Sequence, residues 1–399
     1  MEKILDGREV PGQPDYLNRR DGYVRASLAL SQIPGIGAGR IKKLFEHFKK
    51  PMSVFSVGLS ELAGIDTIGA VNAKAIVRFN EWQKIDQLIQ SAEKNHYRLL
   101  TPFDAFYPKR LLHIYDPPSV LWVRGNPEVL KQEYIAIVGT RKPTKRGREI
   151  TERLTSSLLG CSAVGVVSGL AYGVDALAHI SAIEKKRATV AVLGSGVDRI
   201  YPSGNIRLAY RILDSGGALI SEFPPGTRPE AHHFPIRNRI VSGISLGILV
   251  TETGLNGGSM ITVGLGLDQG REIFVVPHDI SNEHGTGCNA IIQRGWGKLV
   301  FRASHILEDL PASVRSCDIG KADVPLFRQN AGNSESSLKR ELNQQEKKII
   351  AMLSNRPHHI DEMSGNLQVG SHLLLSYLLQ LEIDGFVEQK PGKNFCLAD

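Results

Sequence analysis

The chain reads as an α/β protein, with a doubly wound parallel sheet at its centre, a helical domain before it and a winged-helix domain after it. Three observations predict this. Short apolar runs that end in glycine, serine or threonine recur between helical patterns from residue 134 to residue 277. Such runs indicate strands buried on both faces, as in a parallel sheet. Residues 24–95 carry helical patterning, and a stretch poor in apolar periodicity at 312–343 precedes three more helices and a hairpin. At 399 residues the chain exceeds one typical core, so several domains are expected. They are a helical domain at 1–100, a sheet domain at 101–311, a linker at 312–343 and a winged helix at 344–399.

In the first domain, Ile33-Pro-Gly-Ile-Gly-Ala-Gly39 followed by Arg40, Lys42 and Lys43 has the form of a helix–hairpin–helix turn. Its glycines let a backbone approach a phosphate, and the next helix start offers N–H groups to it. An ordinary helical turn is the alternative. A second copy, Leu62 to Gly69 and then Lys74, is degenerate because Asp66 stands at a hairpin glycine, and packing is its expected role.

Within the sheet domain, Tyr134–Val138 runs into Gly139, Thr140 and Arg141, then Lys142, Lys145 and Arg146. Val166-Val167 runs into Ser168-Gly169-Leu-Ala-Tyr-Gly173-Val-Asp175. Thr189–Leu193 runs into Gly194, Ser195 and Gly196, with Tyr201-Pro202, Asn205 and Arg207 beyond. Leu246–Val250 leads to Thr251-Glu252 and then Gly257, Gly258 and Ser259, and Glu272–Val276 ends at Pro277. In doubly wound sheets the ligand lies beyond the carboxyl ends of the strands. Glycines, hydroxyls, amides and arginines there suit phosphate binding. Few aromatic side chains are expected there for base stacking.

Residues 234–245 add Arg237, Asn238 and Arg239 behind Pro235, a residue suited to a helix's first turn. Arginine beside a helix N-terminus is a phosphate-recognition arrangement, because its planar fork is bidentate and always charged. Two solvated arginines on an amphipathic helix are the bland alternative, and Arg239 has Glu222 or Glu230 as other partners.

In the last domain, Lys347–Leu353, a segment starting at Ile360 and residues 371–383 read as helices, with strands around Pro391-Gly392. A winged helix ordinarily reads DNA with its third helix. This one offers His372, Ser376 and Tyr377 but no Arg or Lys, so a protein contact is the expected role. Net charge is +7, with pI near 9.1, but residues 341–399 carry five bases against eight acids. That −3 tail leaves +10 for the rest, where a polyanion should bind.

Gly-Thr-Arg at 139–141, Ser-Gly-Leu-Ala-Tyr-Gly-Val-Asp at 168–175, Leu-Gly-Ser-Gly-Val-Asp-Arg-Ile-Tyr-Pro at 193–202 and Phe-Pro-Ile-Arg-Asn-Arg-Ile at 234–240 resemble the DNA-processing protein A (Smf) family of natural transformation. Tyr107-Pro108, Asp116-Pro117-Pro118, Gly270-Arg271 and Asn289 extend the resemblance over about half the chain. It implies an extended Rossmann-like fold that binds single-stranded DNA and helps load the RecA recombinase, a homodimer, and Arg141 as a phosphate contact. The family often has a lysine between the proline and asparagine where this chain has Ser203-Gly204, and Pro-Gly where it has Pro277-His278.

No catalytic pattern stands out. The Gly-x-x-x-x-Gly-Lys-Ser/Thr loop is missing, and Gly194-Ser-Gly196 lacks the third dinucleotide-fingerprint glycine because Arg199 stands there. Ser168, Ser195 and Ser259 pair with no histidine that sequence can assign. The rival is a nucleotide-processing enzyme of the lysine-decarboxylase-like type, releasing base from nucleoside monophosphates; Gly257-Gly258-Ser-Met-Ile-Thr-Val-Gly-Leu lacks its glutamate. A structural scaffold for recombination proteins is a third reading. No cofactor is expected. Cys161, Cys288, Cys317 and Cys396 form no Cys-x-x-Cys pair, and His232-His233 lacks an evident carboxylate partner, so no metal is expected. With no leader-like start and no membrane-length apolar run, the expected place is the cytoplasm.

Overall fold

The computed structural model describes residues 14–48, 50–316, 343–353, 358–367, 369–383, 386–390 and 394–397. The expected linker lies outside them apart from 312–316 and Asn343, as do Cys317 and the Pro391-Gly392 turn. Two compact units divide the chain, Met1–Phe327 and Arg328–Asp399.

Among the described residues, five helices precede the sheet in the first unit: α1 (Pro14–Ser31), α2 (Ala38–His47), α3 (Leu59–Ala63), α4 (Gly69–Val77) and α5 (Trp82–Lys94). Ile33, Ile36, Ile41 and Leu44 pack with Leu62, Ile68, Ala73 and Ile76, so the two hairpin copies share one core. Arg40 closes the pair, donating from Nη1 to Gly35 O and from Nε to Thr67 O, while Lys43 meets Asp66. Arg40 and Lys43 thus bind the hairpins themselves, while Lys42 Nζ lies 3.4 Å from Tyr115 O.

Nine strands follow in one sheet, ordered β1-β2-β6-β5-β4-β3-β7-β8-β9. They are β1 (Arg98–Leu100), β2 (Leu121–Gly125), β3 (Tyr134–Val138), β4 (Gly165–Ser168), β5 (Thr189–Val192), β6 (Ala218–Ser221), β7 (Ser245–Val250), β8 (Glu272–Val275) and β9 (Lys298–Leu299). From β6 to β9 every pairing is parallel; β2 joins β6 antiparallel, and β1 joins β2 likewise. Crossovers run one way from β3 through β4, β5 and β6, and the other way through β7, β8 and β9. The topological switch therefore lies between β3 and β7, where this class of sheet opens a crevice.

Two layers of helices cover the sheet. Helices α6 (Lys145–Gly160), α7 (Val174–Glu184), α8 (Ile206–Asp214), α9 (His233–Ile244), α10 (Gly258–Asp268), α11 (Thr286–Gln293) and α12 (Ala303–Leu307) supply them. The alternate faces of β3 show the layering. Tyr134, Ala136 and Val138 pack with Ile240, Ile244 and Val263 of α9 and α10. Ile135 and Ile137 pack with Leu154, Leu158, Val174 and Ala178 of α6 and α7. Burial on both faces is why these strands are continuous apolar runs. Arg271 fastens the end of α9 by donating to Ser242 O and Gly243 O at 3.2 and 2.8 Å.

The second unit is a winged helix: α13 (Gln344–Leu353), β10 (His358–His359), α14 (Ile360–Leu367), α15 (Ser371–Ile383), β11 (Val387–Lys390) and β12 (Asn394–Leu397). Its sheet runs β10-β12-β11, all antiparallel. Helix α15 buries Leu374, Leu378 and Leu381 against Ile349, Met363 and Phe395, and leaves Leu373, Leu375 and Leu379 exposed.

Candidate nucleic-acid interface

Beyond the ends of β3, β4 and β7 the connections enclose a cavity of about 450 Å³. Gly139, Thr140, Arg141 and Lys142 form the wall that follows β3. Gly169, Ala171 and Asp175 form the next, Phe234, Pro235, Arg237 and Asn238 come from α9, and Gly257, Gly258 and Ser259 open α10. Neither α9 nor α10 has a side-chain cap or an acid in its first turn. His233 N donates to Glu230 O, Met260 N donates to Gly257 O and Pro235 has no N–H, so the remaining N–H groups and the helix dipoles favour an anion at this wall.

Arg141 and Lys142 are exposed and have no carboxylate partner among the described residues. Arg237 differs. It is 6% exposed, and its Nη1 donates to Gly169 O and to Val192 O. A Cβ on Gly169 would run into that guanidinium, so the close approach requires glycine. Burial pulls the Arg237 pKa down to about 10, with Asp175 opposing and Arg141 adding to the fall, which leaves it charged at neutral pH. Both guanidiniums flank the Phe234 ring, each 5.9 Å from its centroid.

Asp175, in the first turn of α7, accepts from Gly169 N at 3.0 Å and Ala171 N at 3.4 Å, and burial raises its pKa. Behind it, buried His179 is depressed to about 3, by burial first and Arg237 second, with Nδ1 2.7 Å from Thr189 Oγ1.

The loop carrying Arg141 is fastened from β7. Glu252, wholly buried, accepts from Thr144 N at 2.7 Å and Thr144 Oγ1 at 2.8 Å, and its backbone oxygen accepts from Thr140 N at 2.7 Å. Thr144 in turn caps α6 by accepting from Gly147 N at 2.9 Å. Asn282 Nδ2 donates to the same carboxylate at 3.3 Å and lies 3.2 Å from His278 Nδ1. His278 Nε2 lies 2.7 Å from Thr251 O. The departure at Pro277-His278 is thereby explained: the imidazole ties this loop, whose His284 lines the cavity, to the end of β7.

Seven of the residues expected to meet a phosphate stand elsewhere. Arg239 turns from the cavity into an ion pair with Asp116 at 2.9 Å and Glu222 at 2.7 Å, because residues two apart on a helix cannot share a face. Asn205 is buried and donates to Leu170 O at 2.9 Å and Ala171 O at 3.2 Å, holding the loop that bears Gly169. Ser168 donates to Ile137 O at 2.7 Å and Ser195 to Arg199 O at 2.5 Å, so both hydroxyls serve the fold. Gly194 lies under the Phe234 ring, Gly196 N donates to Thr227 O, and Arg207 is exposed on α8 outside the cavity. Sequence reasoning passed over Thr253, Gly254, Ile261, Thr262 and His284, which also line it. It also missed the carboxylate beside the histidines: the ligand atoms of Glu230, His232 and His233 lie within 4.8 Å of one another.

Fold and cavity define an α/β protein with a cationic crevice at the switch point of a doubly wound sheet, followed by a winged helix. The model of the DNA recombination-mediator protein A family matches residues 98–311, and that of the DprA winged helix domain matches 334–393. Protein Smf of Escherichia coli K12 is 35% identical over 301 residues, covering 75% of this chain and 77% of its own. The DNA processing protein DprA of Bacillus subtilis is 41% identical over 206 residues, 51% of this chain and 68% of its own. The X-ray structure of DprA from Streptococcus pneumoniae superposes with a TM-score of 0.63 at 31% identity, covering 72% of this chain and 98% of that one. The chain belongs to the DNA recombination-mediator protein A family. Among the described residues no helix is long and apolar enough to cross a membrane.

Proposed function

We propose that this protein binds single-stranded DNA in the cavity through its phosphates, with little sequence preference, shields it and passes it to a RecA recombinase. The observation that carries the reading is the convergence of Arg141, Arg237 and two uncapped helix N-termini on one cavity. A cavity of about 450 Å³ has room for single nucleotides of a flexible strand. Titration of one oligonucleotide, single-stranded and as a duplex, at several salt concentrations tests it. The single strand should bind tighter, with affinity falling steeply as salt rises through counterion release. A flat salt dependence, or preference for the duplex, removes the reading.

The same protein acts in the cytoplasm as a homodimer and has no catalytic step. The last point is supported by Asp175, the carboxylate at the cavity wall, which is 7% exposed and already accepts two backbone N–H groups. Free base appearing from nucleoside monophosphates would overturn it, and sedimentation equilibrium tests the dimer. Recombinase assembly on a strand covered by single-strand binding protein should quicken on addition of this chain. The winged helix serves as a protein contact. A protein shortened to end near Ser337 should bind oligonucleotide at least as tightly and lose part of the recombinase effect.

A further inference from the structure

We propose that Tyr172 and Tyr201 form a base-stacking subsite at the rim of the cavity, so that the bases of the strand, and not its phosphates alone, contribute to binding. The proposal rests on the single-strand reading above. Sequence alone suggests few aromatics near the strand ends, but two connections and the first turn of α9 bring three rings there. Phe234 lines the cavity, and the Tyr201 ring lies 5.6 Å from it at an angle of 40°. Tyr172 follows Ala171, another lining residue, and its hydroxyl accepts from Gly204 N at 3.3 Å.

The turn between them is shaped around the ring. A Cβ on Gly204 would stand 2.6 Å from the Tyr172 hydroxyl and 3.0 Å from its ring, so the absent side chain is the space that the tyrosine fills. Residues 200–206 hold no charged side chain, and the Phe234 ring that Tyr201 meets also lies beside the Arg141 guanidinium, so rings and cation share this rim. Tyr172 is 46% exposed and Tyr201 43%: each ring is anchored by a neighbour and keeps nearly half its surface open. Every base has a π-face, so such a platform adds affinity without sequence preference.

The experiment compares an oligothymidylate with an abasic strand of the same length, built on tetrahydrofuran spacers, by fluorescence anisotropy at fixed salt. The wild-type protein should bind the base-bearing strand tighter. Tyr172→Ala and Tyr201→Ala should each lower its affinity for that strand about tenfold. Neither should change affinity for the abasic strand or the salt dependence. Tyr201→Phe should keep the wild-type preference, which separates stacking from any effect on folding. A wild-type protein indifferent to the bases, or Ala variants that keep the preference, overturns the platform. Arg141→Ala should weaken both strands alike. If it moves neither, the phosphate reading fails and the platform falls with it.

Discussion

Two regions of this chain combine glycine turns with nearby cations, and they spend those cations differently. In the helical hairpins Arg40 donates to carbonyls of both turns, and Lys43 lies 2.5 Å from Asp66. At the sheet's switch point Arg141 and Lys142 lie open beside two uncapped helices. A motif supplies residue types, but only the unspent hydrogen-bonding capacity of the folded protein is available to a ligand. Arg237 stands between the two cases, committed to two carbonyls and still on the cavity wall.

The largest expected effect tests that intermediate case. Arg237→Ala leaves Gly169 O, Val192 O and buried Asp175 without their cation, which should cost on the order of 3 kcal/mol of folding stability. Urea unfolding measures this, and a change below about 1 kcal/mol would mean that the guanidinium is not built into the fold. Arg141→Ala should do the opposite: stability within about 0.5 kcal/mol of wild type, single-strand affinity weaker by about 1–3 kcal/mol. Arg141→Lys should recover only part, because the fork is lost.

Below the cavity floor, His179 gives a pH signature. Its folded pKa is depressed to about 3 against an ordinary 6.5, so its contribution to stability is complete above 6.5 and is lost as pH falls toward 3. In unfolding curves at pH 7, 5.5 and 4.5, wild type should lose stability relative to His179→Asn by up to about 1.4 kcal/mol per unit. Asp175, whose raised pKa works in the opposite sense, is common to both proteins and cancels. Parallel curves would remove the assignment. The smallest effect belongs to the hairpins. Arg40→Ala should shift DNA affinity by less than about 0.5 kcal/mol while lowering stability by about 1 kcal/mol. An affinity loss as large as that of Arg141→Ala would erase the contrast between the two regions.

Much of the fold was legible because doubly buried strands leave uninterrupted apolar runs, as at Tyr134–Val138 and Leu246–Val250. Strand β6 escaped notice, being four residues behind Gly216-Gly217, as did the antiparallel β1–β2 edge. The site was harder. Ser168, Ser195 and Asn205 carry the same groups as ligand-binding residues, yet they satisfy the protein's own carbonyls, and composition cannot tell the two uses apart. Arg237 and Arg239 face different ways for a reason of helical phase, which their letters in the motif do not reveal. Tyr172 and Tyr201 come from separate connections and Phe234 from the first turn of α9, so only folding brings them together.

Glu252 has a mechanical consequence. Its one carboxylate holds both the loop of Arg141 and, through Asn282, the loop that bears His284. Two walls of the cavity are thus riveted to a single post at the end of β7. On the function proposed above, a strand entering this cavity should meet walls already ordered by folding and lose little loop entropy. Strands that fit this mouth differently should then enter at similar speeds and differ in how long they stay.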